Sequence, residues 1–364
     1  EQLDMVSIRS NMLKNINKIY LQKSKKFIFI ILLLNLIATI SIAENVTNSA
    51  VVYMYHRFGE PDNPSTNISL EQFKKQLEEL SKPKYNVVKL EYIIDSIITQ
   101  TQLPTNTIAI SIDDGHNSII KKAWPLLKEY NFPVTLFIST DSIDSKYKNY
   151  LTWDQIRTLK KEGADIGAHT KTHPHLHTMS VSEIKEEIEY SNKRYLSELG
   201  EMPKLFAYPF GEANSQVIKI IQDYKFKAAF GQHSGVINET SDLNYLPRFS
   251  INEKYGSIDR IKFSGNAKGL GIYDLTPIDP EFSENPPFIG FSLLDKSLSK
   301  SLNCFIFDGS GNIESEIYNF EERIEIRLQR KIKEGRVRMN CTAKDNQNNW
   351  RWFGHQFIMP NYLD

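Results

Sequence analysis

Short runs of apolar residues alternate with segments that carry helix signals between residues 51 and 230. The runs lie at 51–55, 107–112, 133–138, 164–168, 204–208 and 226–230. They are rich in β-branched and aromatic residues, which is typical of buried strands. Several intervening segments begin at a capping residue, among them Ser69, Thr152 and Ser180, the last with Glu183 at capping-box spacing. The alternation predicts parallel strands joined by crossover helices, and about seven such units predict an α/β fold with a distorted (β/α) barrel.

Side chains that bind metals or transfer protons follow two of these runs. Asp113 and Asp114 follow the run at 107–112, and His169 follows the run at 164–168, with His173 four positions later. Two adjacent carboxylates at the end of a buried strand are costly without compensation, and a bound cation commonly supplies it. An ordinary Asp-Gly turn is the alternative interpretation of the aspartates alone. Because strand ends meet on one face of a barrel, one Asp with two His predicts a three-ligand metal site with an open position.

Three sequence blocks resemble polysaccharide deacetylases of the NodB-like family, carbohydrate esterase family 4. They are Ser-Ile-Asp-Asp-Gly at 111–115, His-Thr-Lys-Thr-His-Pro-His-Leu at 169–176 and Ala-Tyr-Pro-Phe-Gly at 207–211. Their order and separations fit the family over roughly residues 50–250. A strand ending in Tyr-His and the Ala-Tyr-Pro block are closer to the poly-N-acetylglucosamine deacetylase branch. The resemblance implies a NodB-like barrel that removes acetyl groups from an N-acetylated polysaccharide or oligosaccharide.

The resemblance also implies a role for each matching residue. Asp114, His169 and His173 would bind Zn²⁺ or another divalent ion such as Co²⁺ or Ni²⁺, and nitrogen and oxygen ligands suit zinc. Asp113 would act as the general base on a metal-bound water. The backbone N–H of Phe210 would stabilise the oxyanion.

The sequence departs from the family pattern in two places. The arginine that usually opens the third block and orients the base is Ala207 here, and Arg248 is the expected substitute. The family's late Leu-x-His segment, which supplies the general acid, has no match after residue 240. His56 and His233 each follow a predicted strand and are the candidate replacements. His56 is preferred, because the resembling branch also carries an N-terminal Tyr-His.

Three more histidines lie close to the motifs. His175 and His177 are expected to be solvent-exposed loop residues. His116, beside the aspartates, is left open between a substrate contact and a plain surface position.

Composition and the N-terminal region bear on partners and location. Forty-four basic and forty-four acidic residues cancel, so bulk charge implies no polyanion partner and argues against nucleic-acid binding. The uncharged run Phe27–Ala43 follows lysines and ends in small residues, so residues 1–43 are predicted to be a signal peptide or a retained membrane anchor. The rest of the chain is expected to be exported to the periplasm or outside the cell. The oligomeric state is left open.

The segment 251–364 is predicted to be a β-rich accessory domain, a sandwich, following a catalytic domain at 44–250. Turn signals there separate strand-like runs. Cys304 and Cys341 are the two cysteines of the chain, and both lie in strand-like runs. In an exported protein they are expected to form a disulfide.

The leading functional hypothesis is a metal-dependent N-deacetylase of a polysaccharide that contains N-acetylglucosamine. An O-acetyl esterase on a similar glycan is the near alternative, because the same machinery cleaves both bonds. A catalytically weak glycan-binding protein of the cell envelope is the third, suggested by the missing arginine. The presence of both Asp113 and Asp114 favours an enzyme, because binding alone needs no base.

Overall fold

A curled sheet organises the N-terminal part of the protein. The structure is a computed structural model that describes residues 48–360, so the predicted signal or anchor at 27–43 lies outside the described residues. The strands are β1 Ser49–Tyr55, β2 Arg57–Phe58, β3 Asn67–Ile68, β4 Asn86–Val87, β5 Thr107–Asp114, β6 Thr135–Ile138, β7 Asp165–Ala168, β8 Leu205–Ala207, β9 Ala228–Phe230, β10 Ile237–Asn238 and β11 Phe249–Ser250. Within the described range, the sheet order is β10-β1-β5-β6-β7-β8-β9, with β11 beside β1 and β4 beside β5. The path from β1 to β9 is parallel, which confirms the predicted α/β distorted barrel.

Helices connect these strands. They are α1 Leu70–Leu80, α2 Leu90–Ile98, α3 Trp124–Glu129, α4 Thr140–Asp144, α5 Trp153–Lys161, α6 Val181–Leu199, α7 Ser215–Asp223 and α8 Ile258–Gly265. The predicted caps are confirmed: Ser69 caps α1, Thr152 caps α5, and Ser180 forms a capping box with Glu183 at α6. Gly200 ends α6 in the left-handed conformation, with φ 78°. The local signals therefore locate the helices well.

One helix lies where the sequence analysis expected strands and turns. Helix α8 begins after Ser257, whose side chain accepts a hydrogen bond from the Arg260 N–H at 3.2 Å, and it contacts α1. Its buried face consists of Ile261 with Ser264 and Gly265. Because a face with one large apolar residue has no clear 3.6-residue periodicity, the sequence pattern did not predict helix α8.

Beyond α8 the chain is β-structured. The strands are β12 Lys268–Gly269, β13 Ile272–Thr276, β14 Ile289–Leu293, β15 Asn303–Asp308, β16 Gly311–Ile313, β17 Ser315–Phe320, β18 Arg323–Leu328, β19 Arg336–Lys344 and β20 Trp350–Ile358. In the described part of this region, one sheet has the order β12-β20-β19-β15-β16 and another the order β13-β14-β18-β17. Buried and exposed residues alternate along β15, and the apolar side chains of both sheets share one core.

The C-terminal sheets pack directly on the barrel. The Gly269 N–H donates to the Ser49 hydroxyl at 2.9 Å, and the Trp352 ring meets Phe249 edge-on with centroids 4.9 Å apart. The barrel and the two sheets belong to one compact unit. Between residues 48 and 360, no helix is both long and apolar enough to cross a bilayer.

A disulfide links two neighbouring strands of the C-terminal region. Cys304 on β15 and Cys341 on β19 are direct partners in the antiparallel register, and their sulfurs are bonded. The predicted disulfide is therefore confirmed in the structure. It closes a loop whose ends are separated by 37 positions in the sequence.

Replacing both Cys304 and Cys341 by alanine is expected to lower the free energy of unfolding by about 2–4 kcal/mol, because the crosslink restricts the unfolded chain. Urea titrations of the unreduced wild-type and variant proteins measure the difference. A reducing agent should destabilise the wild type and leave the variant unchanged. Equal midpoints without reductant would contradict the prediction.

Candidate active site

Three side-chain donors converge at the C-terminal ends of β5 and β7. Asp114 ends β5, and His169 and His173 lie on the loop that follows β7. The Asp114 Oδ1 atom lies 3.5 Å from His169 Nε2 and 3.6 Å from His173 Nε2. Within residues 48–360, the buried Asp114 Oδ1 and His169 Nε2 atoms have no hydrogen-bond partner. Tetrahedral ligands at about 2.0–2.2 Å from a zinc ion would be about 3.4 Å apart, so the donor spacing fits a divalent ion.

The backbone around these donors adopts conformations that few residues tolerate. Asp114, Thr170 and His173 have φ values of 72°, 64° and 61°, in the left-handed region. Each non-glycine residue held there costs about 1–3 kcal/mol unless the surroundings stabilise it. The Glu187 carboxylate on α6 does so for the loop, since it accepts hydrogen bonds from the Lys171 and Thr172 N–H groups at 3.0 and 2.8 Å.

A hydrogen bond fixes the tautomer of His169, and burial keeps His173 uncharged. His169 Nδ1 lies 2.7 Å from the Ala207 carbonyl oxygen, so Nδ1–H donates there and the Nε2 lone pair faces Asp114. Burial, reinforced by the nearby His169, lowers the pKa of His173 to about 4. His173 is therefore neutral at physiological pH, as a metal ligand must be.

Asp113 and Arg248 form a buried ion pair next to these donors. The Arg248 Nη1 and Nη2 atoms lie 2.7 and 2.8 Å from the two Asp113 carboxylate oxygens, and both side chains are fully buried. Arg248 also donates to the Gly231 carbonyl at 3.0 Å and to the Ser111 hydroxyl at 3.2 Å. Burial alone would raise the pKa of Asp113, but Arg248 together with His169 and His56 outweighs burial, and the pKa lies below its ordinary value. Arg248, the expected substitute for the arginine missing at residue 207, therefore contacts Asp113 directly.

The two candidate acids lie in different places. His56 follows β1 and is near Asp114 and Asp113; burial lowers its pKa and these two carboxylates partly oppose the effect. His233 packs instead against Tyr245 and His355, with ring centroids 4.9 and 5.7 Å apart. The structure therefore brings His56 to the Asp/His cluster and leaves His233 outside it.

His116 is buried. Its Nε2 atom lies 3.2 Å from Asp114 Oδ2, and its ring packs on Tyr150 with centroids 4.7 Å apart. It holds the second oxygen of Asp114, which leaves Oδ1 directed at His169 and His173. Of the two roles left open, a plain surface position does not fit this burial.

The turn after β8 carries Phe210. Residues Pro209–Gly211 form a 3₁₀ turn in which Phe210 has φ 57°. The Phe210 ring stacks on His175 with centroids 4.0 Å apart and meets His173 edge-on at 4.5 Å. The turn therefore borders the Asp/His cluster.

Sequence reasoning missed a second polar cluster, which we call the Glu212 network: His175, His177, Glu212 and Arg336. Glu212 is fully buried, its Oε2 atom lies 2.6 Å from His175 Nδ1 and 3.4 Å from His177 Nδ1, and Arg336 Nε lies 3.3 Å from Oε1. Burial alone would raise the pKa of Glu212, but the two histidines and Arg336 hold it below its ordinary value. The expectation that His175 and His177 are exposed is wrong, because the carboxylate of Glu212 draws both inward. No local pattern could reveal this, since Arg336 comes from β19.

Replacing Arg248 by methionine is expected to lower the free energy of unfolding at neutral pH by about 3–5 kcal/mol, because it leaves a buried carboxylate unpaired. The folded-state pKa of Asp113 is lowered. The pair therefore contributes fully above about pH 4, the ordinary aspartate value, and less as the pH falls through the folded pKa. Urea titrations between pH 3 and pH 7 test this.

Two further variants control the experiment. Adding Asp113→Asn to Arg248→Met should recover part of the loss. Arg157→Met removes the ion pairs of an exposed arginine with Asp154 and Glu198 and should change little, because solvent screens them. An Arg248→Met protein as stable as the Arg157→Met protein would contradict the prediction.

Comparison with known proteins identifies the fold around this site. The family model described as polysaccharide deacetylase matches residues 100–229. A poly-beta-1,6-N-acetyl-D-glucosamine N-deacetylase of Staphylococcus aureus is 23% identical over 232 residues, covering 57% of this chain and 80% of that protein. The solved structure of the Streptococcus pyogenes deacetylase PplD in complex with acetate superposes with a TM-score of 0.55 at 22% identity, covering 59% of this chain and 97% of that one. IcaB from Ammonifex degensii superposes with a TM-score of 0.53 at 21% identity, covering 60% and 98%.

Proposed function

We propose that this chain, which matches the polysaccharide deacetylase family over residues 100–229, is a metal-dependent hydrolase that removes N-acetyl groups from a polysaccharide containing N-acetylglucosamine. The observation that carries this proposal is the set of donors Asp114, His169 and His173, spaced for a divalent ion beside a buried ionised carboxylate. Amide hydrolysis needs an electrophilic centre for the carbonyl, a base for water and an acid for the leaving amine.

Asp114, His169 and His173 are the proposed ligands of Zn²⁺ or of Co²⁺ or Ni²⁺. A divalent ion held there would polarise the acetyl carbonyl and lower the pKa of water. Two neutral imidazoles and one carboxylate leave a net positive charge at such an ion, which suits both tasks. The hydrogen bond from His169 Nδ1–H to the Ala207 carbonyl fixes the ring in the orientation that ligation needs.

Asp113 is the proposed general base. Its lowered pKa keeps it ionised at physiological pH, and the bidentate contact with Arg248 fixes the carboxylate plane. Each carboxylate oxygen has a second lone pair, so Asp113 can still accept a proton from water. The weak glycan-binding hypothesis rested on the missing arginine, and the contact of Arg248 with Asp113 removes that reason.

His56 is the proposed general acid, and the Phe210 N–H the proposed oxyanion donor. Burial lowers the pKa of His56, whereas the nearby Asp114 and Asp113 carboxylates favour the protonated form that an acid must have. In the Phe210 turn the N–H groups of Gly211 and Glu212 donate to the Tyr208 and Pro209 carbonyls. The Phe210 N–H takes no part in those two hydrogen bonds.

The proposed substrate is a poly-N-acetylglucosamine, by similarity to the named activity of the Staphylococcus aureus relative. An exported polysaccharide of this kind agrees with the expected export of the chain, in which residues 27–43 act as a cleaved signal or a membrane tether. An O-acetylated glycan remains the alternative substrate, because the same groups would cleave an ester.

Acetate release from a β-1,6-linked N-acetylglucosamine oligomer tests the proposed activity. An O-acetylated oligosaccharide without N-acetyl groups distinguishes an esterase. The matched control is Asp113→Asn, which should retain its metal and lose about 10²–10⁴-fold in turnover. Acetate release from neither substrate by the metal-loaded wild type would refute the proposal.

The three ligand positions are expected to bind one divalent ion per chain. Asp114→Ala, His169→Ala and His173→Ala should each lose the ion, because two remaining ligands bind weakly. Metal analysis after dialysis measures this. Glu212→Gln should keep the ion, since Glu212 belongs to the other cluster. Full occupancy in both histidine variants would contradict the assignment.

Replacing His56 by alanine is expected to abolish most turnover with the metal retained, because the amine then leaves without a proton. His233→Ala is the comparison, since His233 packs outside the cluster. Turnover across the pH range, with metal content checked, separates the two histidines. Near-normal turnover in His56→Ala would end its assignment, and a metal-retaining loss in His233→Ala would transfer the role to His233.

A further inference from the structure

We propose that strands β19 and β20 complete the catalytic machinery, with Gln356 and Arg336 as positioning residues for the Phe210 turn. This inference rests on the proposed function, in which the Phe210 N–H faces the oxyanion. Both residues lie far beyond residues 100–229, the segment that the family model matches.

The Phe210 turn needs outside support because its backbone is strained. Phe210 and Gly211 are consecutive residues with positive φ, 57° and 69°. A left-handed phenylalanine costs about 1–3 kcal/mol and persists only where the surroundings impose it. At Gly211 a Cβ atom would collide with the Gln232 backbone nitrogen, so the turn lies directly against the segment after β9. A small movement of the turn would redirect the Phe210 N–H.

Two hydrogen bonds hold the carbonyl oxygen of Gly211. Tyr245 Oη–H donates to it at 2.7 Å, and Gln356 Nε2–H donates to it at 3.0 Å. Tyr245 lies before β11, whereas Gln356 is a fully buried residue of β20. Hydrogen bonds from two directions hold the Gly211–Glu212 peptide plane, at the end of the Phe210 turn, more firmly than either bond would alone.

The Glu212 network holds the other side of the turn. Glu212 binds His175 at 2.6 Å, and the His175 ring stacks on Phe210 in nearly parallel planes. Arg336 of β19 pairs with Glu212 at 3.3 Å, and its guanidinium carbon lies 5.9 Å from the Phe210 ring centre. Arg336 on β19 therefore contacts both Glu212 and the Phe210 ring.

The Glu212 network is a positioning device rather than a second metal site. His177 Nδ1 lies 3.4 Å from Glu212 Oε2, a spacing similar to the 3.5 and 3.6 Å of the proposed metal donors. His175 Nδ1, however, lies 2.6 Å from the same oxygen, a hydrogen-bond distance that leaves no room for an ion between the two atoms. Arg336 also places a positive charge against Glu212, where a divalent ion would be repelled.

Strand β20 packs tightly against the barrel, so its side chains can position groups there. A Cβ atom at Gly354 would collide with the Ser234 carbonyl, which shows that the two backbones are in direct contact. Two residues earlier, Trp352 packs on Phe249, the residue after Arg248. The strand that presents Gln356 is therefore anchored beside the segment that presents Arg248.

Gln356→Met keeps the side-chain length and removes the donor, and Tyr245→Phe removes the other donor to the same oxygen. We expect each change to lower kcat about 10–100-fold, with KM and metal content unchanged, because misplaced groups reduce stabilisation of the transition state alone. The double variant should lose more than the product of the two single losses, since either donor partly holds the turn alone. Gln347→Met, an exposed change in the loop before β20, is the matched control and should keep normal kcat.

Amide hydrogen exchange of residues 208–213 gives a readout that does not depend on activity. Exchange should become faster in Gln356→Met and remain normal in Gln347→Met. A metal-loaded Gln356→Met protein with wild-type kcat, or with normal exchange in this segment, would overturn the inference. A wild type that releases no acetate refutes the proposed function instead, and the exchange comparison still decides whether Gln356 positions the turn.

Discussion

Two consecutive carboxylates, Asp113 fully buried and Asp114 half-buried, create the central constraint of this structure. Strand β5 ends in Asp113 and Asp114, and burial opposes the ionised form of both. The chain compensates them differently: Arg248 takes both oxygens of Asp113, whereas the Oδ1 atom of Asp114 faces two imidazole nitrogens at metal-ligand spacing. The two neighbouring carboxylates therefore meet different partners at one strand end. Arg248 compensates the charge of Asp113, and the donors of the proposed metal site surround Asp114.

The parts of this arrangement that follow from local signals could be predicted from the sequence. The strand before Asp113, the capping box of Ser180 and the strand end before His169 depend on residues within a few positions of each other. The resemblance to a family indicated that Asp113 needs an arginine partner, and Arg248 was the expected substitute. It was needed, because Arg248 is 135 positions from Asp113 and no periodicity links them.

The parts that depend on long-range packing could not be predicted. His175 and His177 looked like loop histidines because nothing nearby indicates that Glu212 is buried below them. Helix α8 was missed because its buried face is too small to give a periodic pattern. Alternation predicted the C-terminal strands, but alternation specifies only which face of a strand is buried. It says nothing about which surface of the barrel the sheet covers.

The residues with positive φ show why the surface that the C-terminal sheets cover matters for the site. Asp114, His173 and Phe210 all have positive φ, and each lies at the cluster or borders it. The surroundings that hold them differ: His116 binds Asp114, Glu187 of α6 holds the loop before His173, and residues of two C-terminal strands hold the turn of Phe210. Strain at the first two is balanced within the barrel. Strain at Phe210 is balanced partly by residues outside the barrel. The barrel alone would lack the contacts of Gln356 with Gly211 and of Arg336 with Glu212. In this chain, the C-terminal sheets therefore belong to the geometry of the site as well as to the stability of the fold.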